Sequence, residues 1–268
     1  MKAMKRLWIL ALMMVAVQPL AAQMYVDGEV LNFRMSYKAK LLPNIEVASV
    51  VIATKDTLLE GREVHKVYGH GATENMYHWI LPVNDTYLVW ADRQSKRTVR
   101  FDSNLHEGSY TFWSTYLFDH EKGVVNTRWQ SRQRPIKERQ LAISDRGMDP
   151  ISLYFNLRAI NPAEVKEGWS KDLEMVLEDT VRKLNLRYEG REVKKIKRLG
   201  KFNTLKFRCN IATSSGFAFT DGTEFELWIS DDRNKLPLYI KSPIRVGSVC
   251  AYLSSFEGLR YPLESKVD

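Results

Sequence analysis

The residues with the most evident chemical potential are two adjacent carboxylates, five histidines and two cysteines. Asp231 and Asp232 lie in Ser230-Asp231-Asp232-Arg233-Asn234-Lys235-Leu236-Pro237. Carboxyls held close together split their pKa values, so that one can donate a proton while the other accepts it. The same Asp, Asn and Pro residues also suit a turn between two strands, with the aspartates accepting local backbone N–H groups, and the turn is the preferred reading. His65, His70, His78, His106 and His120 show no H-E-x-x-H spacing and no helical i, i+4 pair, so they suggest no metal centre. Strand alternation puts His65 and His70, five apart, on opposite faces. Cys209 and Cys250 admit either a disulfide or two separate buried thiols; with no C-x-x-C and no third ligand nearby, redox and metal roles are disfavoured. There is no G-x-S-x-G, P-loop or dinucleotide fingerprint, and no cofactor is called for. No catalytic residue can be named.

Two basic runs and the aromatic residues speak to binding. Residues 128–139 carry Arg128, Arg132, Arg134, Lys137 and Arg139; residues 191–201 carry Arg191, Lys194, Lys195, Lys197, Arg198 and Lys201. They suit lipid phosphates, or serve simply to keep exposed strands from pairing with other molecules. Trp79, Trp90, Trp113, Trp129, Trp169 and Trp228 either line a cavity, pave a glycan platform or fill a β core.

The elements that would position these groups are mostly strands. Leu31, Phe33, Met35 and Tyr37 alternate with Asn32, Arg34 and Ser36, the period of a half-buried strand. Strands are further predicted at 45–54, 64–68, 87–91, 98–101, 109–118, 124–129 and 139–143. After a helix come 173–177, 180–188, 193–196, 204–211, 224–229, 236–240 and 246–256. Leu42-Pro43-Asn44, Glu60-Gly61, Glu121-Lys122-Gly123 and Asp221-Gly222 supply turns. One helix is predicted over 149–160. Asp149 accepts its first free N–H groups, Pro150 suits its first turn, and Asn161-Pro162 stops it. Its side chains leave little polar face, so the sheet should cover it. Residues 73–81 read as a short helix or a strand. Short strand–turn–strand connections imply antiparallel pairing. The fold class is therefore mainly β: a curved antiparallel sheet or half-barrel with one buried helix. A single domain over 23–268 is preferred to two sub-units meeting near 149–162.

The ends of the chain bear on compartment. Met1-Lys2-Ala3-Met4-Lys5-Arg6 is basic, an apolar run from Leu7 to Val17 follows, and Pro19-Leu20-Ala21-Ala22 closes with small residues. These are the three parts of a cleavable signal peptide over 1–22, and the run falls short of the about 20 residues a membrane helix needs. No cysteine follows it for lipid attachment. Loss of Lys2, Lys5 and Arg6, with no acidic residue, lowers the net charge from +8 to +5. A mildly basic exported protein suits anionic surfaces rather than nucleic acid.

Certain stretches resemble a known family: 28–37, Asp149-Pro150-Ile151-Ser152-Leu153-Tyr154-Phe155-Asn156-Leu157-Arg158, 200–207, Trp228-Ile229 through Pro237, Ser242-Pro243-Ile244 and Gly247-Ser248-Val249. Together they are similar to the domain-of-unknown-function family numbered 3108, exported envelope proteins of Gram-negative bacteria. The resemblance implies a periplasmic location and brings no established activity. The expected sheet wrapped on a helix is similar to the half-barrel of periplasmic lipoprotein carriers. The expected role is non-catalytic binding of an amphiphile, envelope lipid, lipopolysaccharide or glycan in the sheet's concavity. The alternatives are a structural or assembly factor with an outer-membrane protein partner, and an envelope hydrolase.

Overall fold

The computed structural model describes residues 25–38, 45–79, 82–211, 223–244 and 247–267. The signal segment 1–22, the turns at 42–44 and 221–222, and Ile80 and Leu81 lie outside the described residues. Among the described residues the chain forms β1 (Val30–Lys38), β2 (Ile45–Leu59), β3 (Arg62–Thr73), β4 (Asn84–Asp92), β5 (Thr98–Glu107), β6 (Tyr110–Asp119), β7 (Val124–Ser131) and β8 (Lys137–Ala142). Then follow β9 (Gly147–Met148), α1 (Ser152–Arg158), β10 (Ser170–Leu177), β11 (Thr180–Ile196), β12 (Gly200–Ile211), β13 (Thr223–Ser230), β14 (Pro237–Pro243), β15 (Ser248–Glu257) and β16 (Lys266–Val267).

These strands make one sheet in the order β8-β7-β6-β5-β4-β3-β2-β1-β15-β14-β13-β12-β11-β10-β9, with β16 added to β12. All pairs are antiparallel except β9 with β10. The two halves of the chain meet where β1 lies between β2 and β15. The sheet's two ends are only residues 143–146 apart in the chain, so the sheet must curl back towards itself. Arg139 of β8 reaches Asp179 in the β10–β11 turn at 3.3 Å, yet no ladder joins β8 to β10 among the described residues, and the curl stays unclosed.

Turn chemistry explains much of this meander. Glu60 and Gly61 have φ of 51° and 82°, the left-handed pair that a two-residue hairpin turn needs. This turn lets β2 continue to Leu59, beyond the predicted limit at residue 54, since β3 pairs with it along its whole end. Predicted strands 180–188 and 193–196 are one strand, β11, because a bulge between Tyr188 and Gly190 bends the chain without leaving the ladder. Residues 73–81 settle differently from either expectation: Thr73 ends β3, and 75–77 form a single 3-10 turn.

The helix is where expected, but shorter. Asp149 Oδ1 accepts the backbone N–H groups of Ile151 (2.9 Å) and Ser152 (3.0 Å), so helical bonding begins after it. Its other oxygen accepts the hydroxyls of Ser152 and of Thr98 on β5, which ties the helix to the sheet. One side of α1 sends Leu153, Leu157 and the following Ile160 into a core with Leu173, Leu184, Leu205 and Phe207. The other sends Ile151, Tyr154 and Phe155 into a core with Val67, Val89, Phe101 and Tyr116. Full burial of Phe155 and Leu157 contributes about 1.5–3 kcal/mol each.

The last helical residue anchors the fold. Arg158, 2% exposed, bonds both oxygens of Glu29, itself 1% exposed, and its Nε donates to the Asn234 carbonyl at 3.1 Å. Glu29 sits just ahead of β1, where Gly28 must be approached closely: a Cβ on Gly258 would lie 2.4 Å from the Gly28 carbonyl oxygen. Asn234 in turn holds Tyr261 and Pro262 of the C-terminal segment.

Removing one member of this pair strands a buried charge. Arg158→Ala is expected to lower unfolding free energy by about 3–5 kcal/mol in urea titrations. The double change Glu29→Leu with Arg158→Leu should lose clearly less than the sum of the single changes.

Candidate functional site

The inner face of the sheet is followed from strand to strand by its register. Leu31 and Phe33 on β1 point inward and lie opposite Ile52 and Val50 on β2; those lie opposite Gly69 and Gly71 on β3, which in turn face Tyr87 and Asp85 on β4. Most inward positions are filled with Leu, Val, Phe or Tyr, but β3 presents two glycines in succession. A Cβ at Gly71 would meet only Val50 Cγ2, at 3.6 Å, while one at Gly69 would meet Tyr87 Cβ at 3.5 Å and Ile151 Cδ1 at 3.9 Å. Around this hollow Val50, Ile52, Tyr87, Ile151 and Tyr154 are only partly buried. Gly69 is buried beneath Tyr87 and Ile151, whereas half-buried Gly71 leaves bare backbone on the inner face, bordered by Val50.

Two carboxyls stand beside it. Asp85 is directly opposite Gly71 on the inner face, and Glu107 ends β5. Burial raises the pKa of Asp85, whose Oδ1 accepts the His106 N–H at 3.0 Å. Burial and then the charge of Asp85 raise that of Glu107. This is a pair of neighbouring carboxyls, 22 positions apart in the chain, with no sequence signal to announce it. Chemically it can hold one proton between two oxygens at the margin of an apolar surface.

Above the hollow, three turns share one rim. Pro82 before β4 accepts the Gly108 N–H of the β5–β6 turn at 2.7 Å, and Thr111 on β6 accepts the Arg132 N–H of the β7–β8 turn at 2.6 Å. This rim exposes Met76 (74%), Trp79 (82%) and Ile136 (45%). Arg132 lies over the Tyr110 ring at 5.9 Å, and Arg134 and Lys137 are exposed alongside. Large apolar tips interleaved with cations are a surface suited to an interface between water and lipid.

The adjacent aspartates do different, structural things. Asp231 pairs with Arg191 at 2.8 Å. Asp232 Oδ1 accepts Ser230 Oγ–H and the N–H groups of Asn234 and Lys235, while Oδ2 accepts the Ser265 N–H and hydroxyl. They point to separate partners within the β13–β14 turn. Cys209 and Cys250 are both buried and free. They stand on β12 and β15, three strand spacings apart, about 14 Å along the sheet, beyond the Cα separation of about 4.4–6.8 Å that a disulfide requires. The bridge admitted from the sequence is therefore not formed. His65 faces inward and His70 outward; His70 bonds Asn84 at 2.8 Å. Among the described residues no three His, Cys, Asp or Glu side chains are arranged to hold a metal.

The tryptophans divide by face. Trp129 is buried inside and Trp169 packs edge-on to Phe207 at 5.9 Å. Trp90 lies on the outer face between Lys66 and Arg100. Trp228 is outside too, yet 3% exposed: Lys194 covers its ring at 3.6 Å and Glu192 accepts its N–H. They form no continuous glycan platform.

Comparison with known proteins agrees with this architecture. A family model described as a protein of unknown function (DUF3108) matches residues 32–254. A crystal structure of a β-barrel-like protein of a domain of unknown function, DUF1849, from Brucella abortus is similar in fold: TM-score 0.56, 8% identity, covering 88% of this chain and 100% of that one. A structure described as a lipoprotein from Parabacteroides distasonis has TM-score 0.38 and 12% identity, covering 87% and 98%. No curated protein matches the chain.

Two outcomes separate the carboxylate pairs. Asp231→Asn should change stability by less than about 1 kcal/mol, as for an exposed ion pair, whereas Asp232→Asn should cost more than about 2 kcal/mol through its several N–H and O–H donors, both by chemical denaturation. For Asp85 the pKa is raised on folding, so its contribution favours the native state in acid and turns unfavourable as pH rises through the carboxylate range. Asp85→Asn should therefore raise Tm at pH 7 and raise it less at pH 4, measured by calorimetry.

Proposed function

The chain belongs to the DUF3108 family, and we propose that it is a non-catalytic binding protein for an amphiphile, whose apolar portion rests on the inner face of the sheet at Gly71. The observation that carries this reading is the bare backbone at Gly71 in an otherwise filled face, where a Cβ would meet only Val50 Cγ2 at 3.6 Å and where Val50 and Ile52 are only partly buried. A ligand with an acyl chain matches such a surface, since each methylene buried contributes about 0.8 kcal/mol. The exposed Met76 and Trp79 on the rim suit contact with the membrane from which an amphiphile would come. Export through the N-terminal segment and a periplasmic working place complete the reading: an envelope lipid or lipopolysaccharide is the class of ligand to look for. No helix of the described residues is long and apolar enough to cross a membrane, so contact would be made at the surface by the rim.

Native mass spectrometry after detergent-free purification tests the proposal. The wild-type protein should carry a lipid-sized adduct, and Gly71→Leu, which fills the hollow, should lose most of it while keeping its far-UV circular dichroism and melting transition. A wild-type protein that emerges without adduct and acquires none from mixed lipid vesicles would overturn the reading, as would equal occupancy in Gly71→Leu.

A further inference from the structure

A second cavity opens elsewhere, between the β4–β5 turn, the link from β8 to β9, the start of β10 and one side of α1. Its volume is about 570 Å³, and its walls include Lys96, Arg97, Arg146 and Lys171 against Asp145 and Asp172, an excess of two positive charges. Ser95, Ser170 and Asn156 add polar groups, and the Thr98 and Ser152 hydroxyls lie at its floor on the buried Asp149.

Carboxylates within the chain counter the four cations of the cavity only weakly. Elsewhere Arg34, Arg62, Arg187, Arg191, Arg208 and Arg233 each close on a carboxylate. In the cavity Arg97 bonds only a backbone carbonyl, that of Asp145 at 2.6 Å. Arg146 has just its exposed sequence neighbour Asp145, at 4.0 Å. Lys171 has no acidic partner among the described residues, and the Asp172 carboxylate beside it is taken by Asn185 Nδ2 at 2.7 Å. Lys96 is held from behind: its ammonium meets His65 Nε2 at 3.0 Å, while His65 Nδ1 faces Asp56 Oδ1 at 2.5 Å. That geometry makes Nδ1 the donor to Asp56 and leaves Nε2 to accept from lysine. Burial, and then the charge of Arg146, depress the Lys171 pKa; burial, and then Arg93, do the same for Lys96. Cations gathered with too little counter-charge destabilise one another, and a bound oxyanion would relieve this.

We infer that this cavity is a binding site for a phosphoryl group, its oxygens held by Lys171, Arg146 and Arg97 with Lys96 at the rear. Two guanidinium groups can each present a fork of N–H donors to a phosphate, and two ammonium groups add point charges. The volume exceeds what a lone phosphate ion fills, so a phosphorylated sugar or a lipid headgroup fits the same chemistry. The site is lined by different residues from the open position at Gly71 and does not depend on the amphiphile reading.

Isothermal titration of the full chain at low ionic strength tests it with three probes: inorganic phosphate, a hexose 1-phosphate, and short-chain phosphatidate below its micellar concentration. Saturable binding of at least one probe is expected, displaced by phosphate and not by equal ionic strength of chloride. Lys171→Gln and Arg146→Gln should each weaken it about tenfold or more, as expected for loss of a charge-assisted hydrogen bond, with unchanged melting in ligand-free buffer. Gly71→Leu should bind the first two probes as wild type does. The ranking of the probes assigns the source: free phosphate, sugar phosphate or headgroup. Absence of saturable binding for all three, or wild-type affinity in both Gln variants, would overturn the inference.

Discussion

The ion pair between Arg158 and Glu29 is the point on which the architecture hangs. A bidentate guanidinium–carboxylate contact with both partners almost wholly buried is tolerable only with further hydrogen bonds, and the Asn234 carbonyl accepts one from Nε–H. The contact joins three places far apart in the chain: the residue before β1, the end of α1, and the β13–β14 turn. Through Asn234 it also reaches the C-terminal segment at Tyr261. If this junction is out of place, the helix cannot lie between the two cores, and the sheet has nothing to curl around.

The stretches that carry the family resemblance acquire a physical meaning here. Gly28-Glu29, the segment from Asp149 to Arg158, and the run from Ser230 to Pro237 converge on one buried network. Asp149 caps the helix and grips Thr98; Arg158 closes the other end; Asp232 organises the turn that offers Asn234. These residue types are required for folding in this arrangement, so their polarity says little about catalysis. Polar groups with functional promise lie elsewhere, at Asp85 with Glu107 and around Lys171, where satisfaction within the chain is incomplete.

The outer face is also used. Lys197 and Arg198 at the tip of the β11–β12 hairpin both bond Glu46 on β2, although β2 is five strands from β12 in the sheet. The hairpin end must therefore fold back over the outside, as the Lys194 contact with Trp228 and Tyr239 also requires. Hydrogen bonds from Lys197 and Tyr252 hold the Glu46 carboxyl down at about 2. The basic run over 191–201 is thus largely consumed in closing the sheet on itself. The run over 128–139 is different: Arg128 and Arg139 are paired, while Arg134 and Lys137 stay exposed near the rim.

Local physics was enough to reveal most elements. Period-two alternation marked β1 and β6, the Glu60-Gly61 pair marked a tight hairpin, and Asp149-Pro150 marked the start of a helix with little polar face. Such signals depend on neighbours within a few positions, and side-chain direction in a strand follows from parity alone. The pairing of β1 with β15, the meeting of Glu29 with Arg158, and the approach of Asp85 to Glu107 had no such local trace. Each joins residues brought together by register and curvature summed over many strands. The same holds for Cys209 and Cys250, whose types permitted a bridge that three strand spacings forbid. Sequence alone determined a β-rich chain folded on one helix; only the tertiary structure decided where its surface is hollow and which of its charges lack a partner.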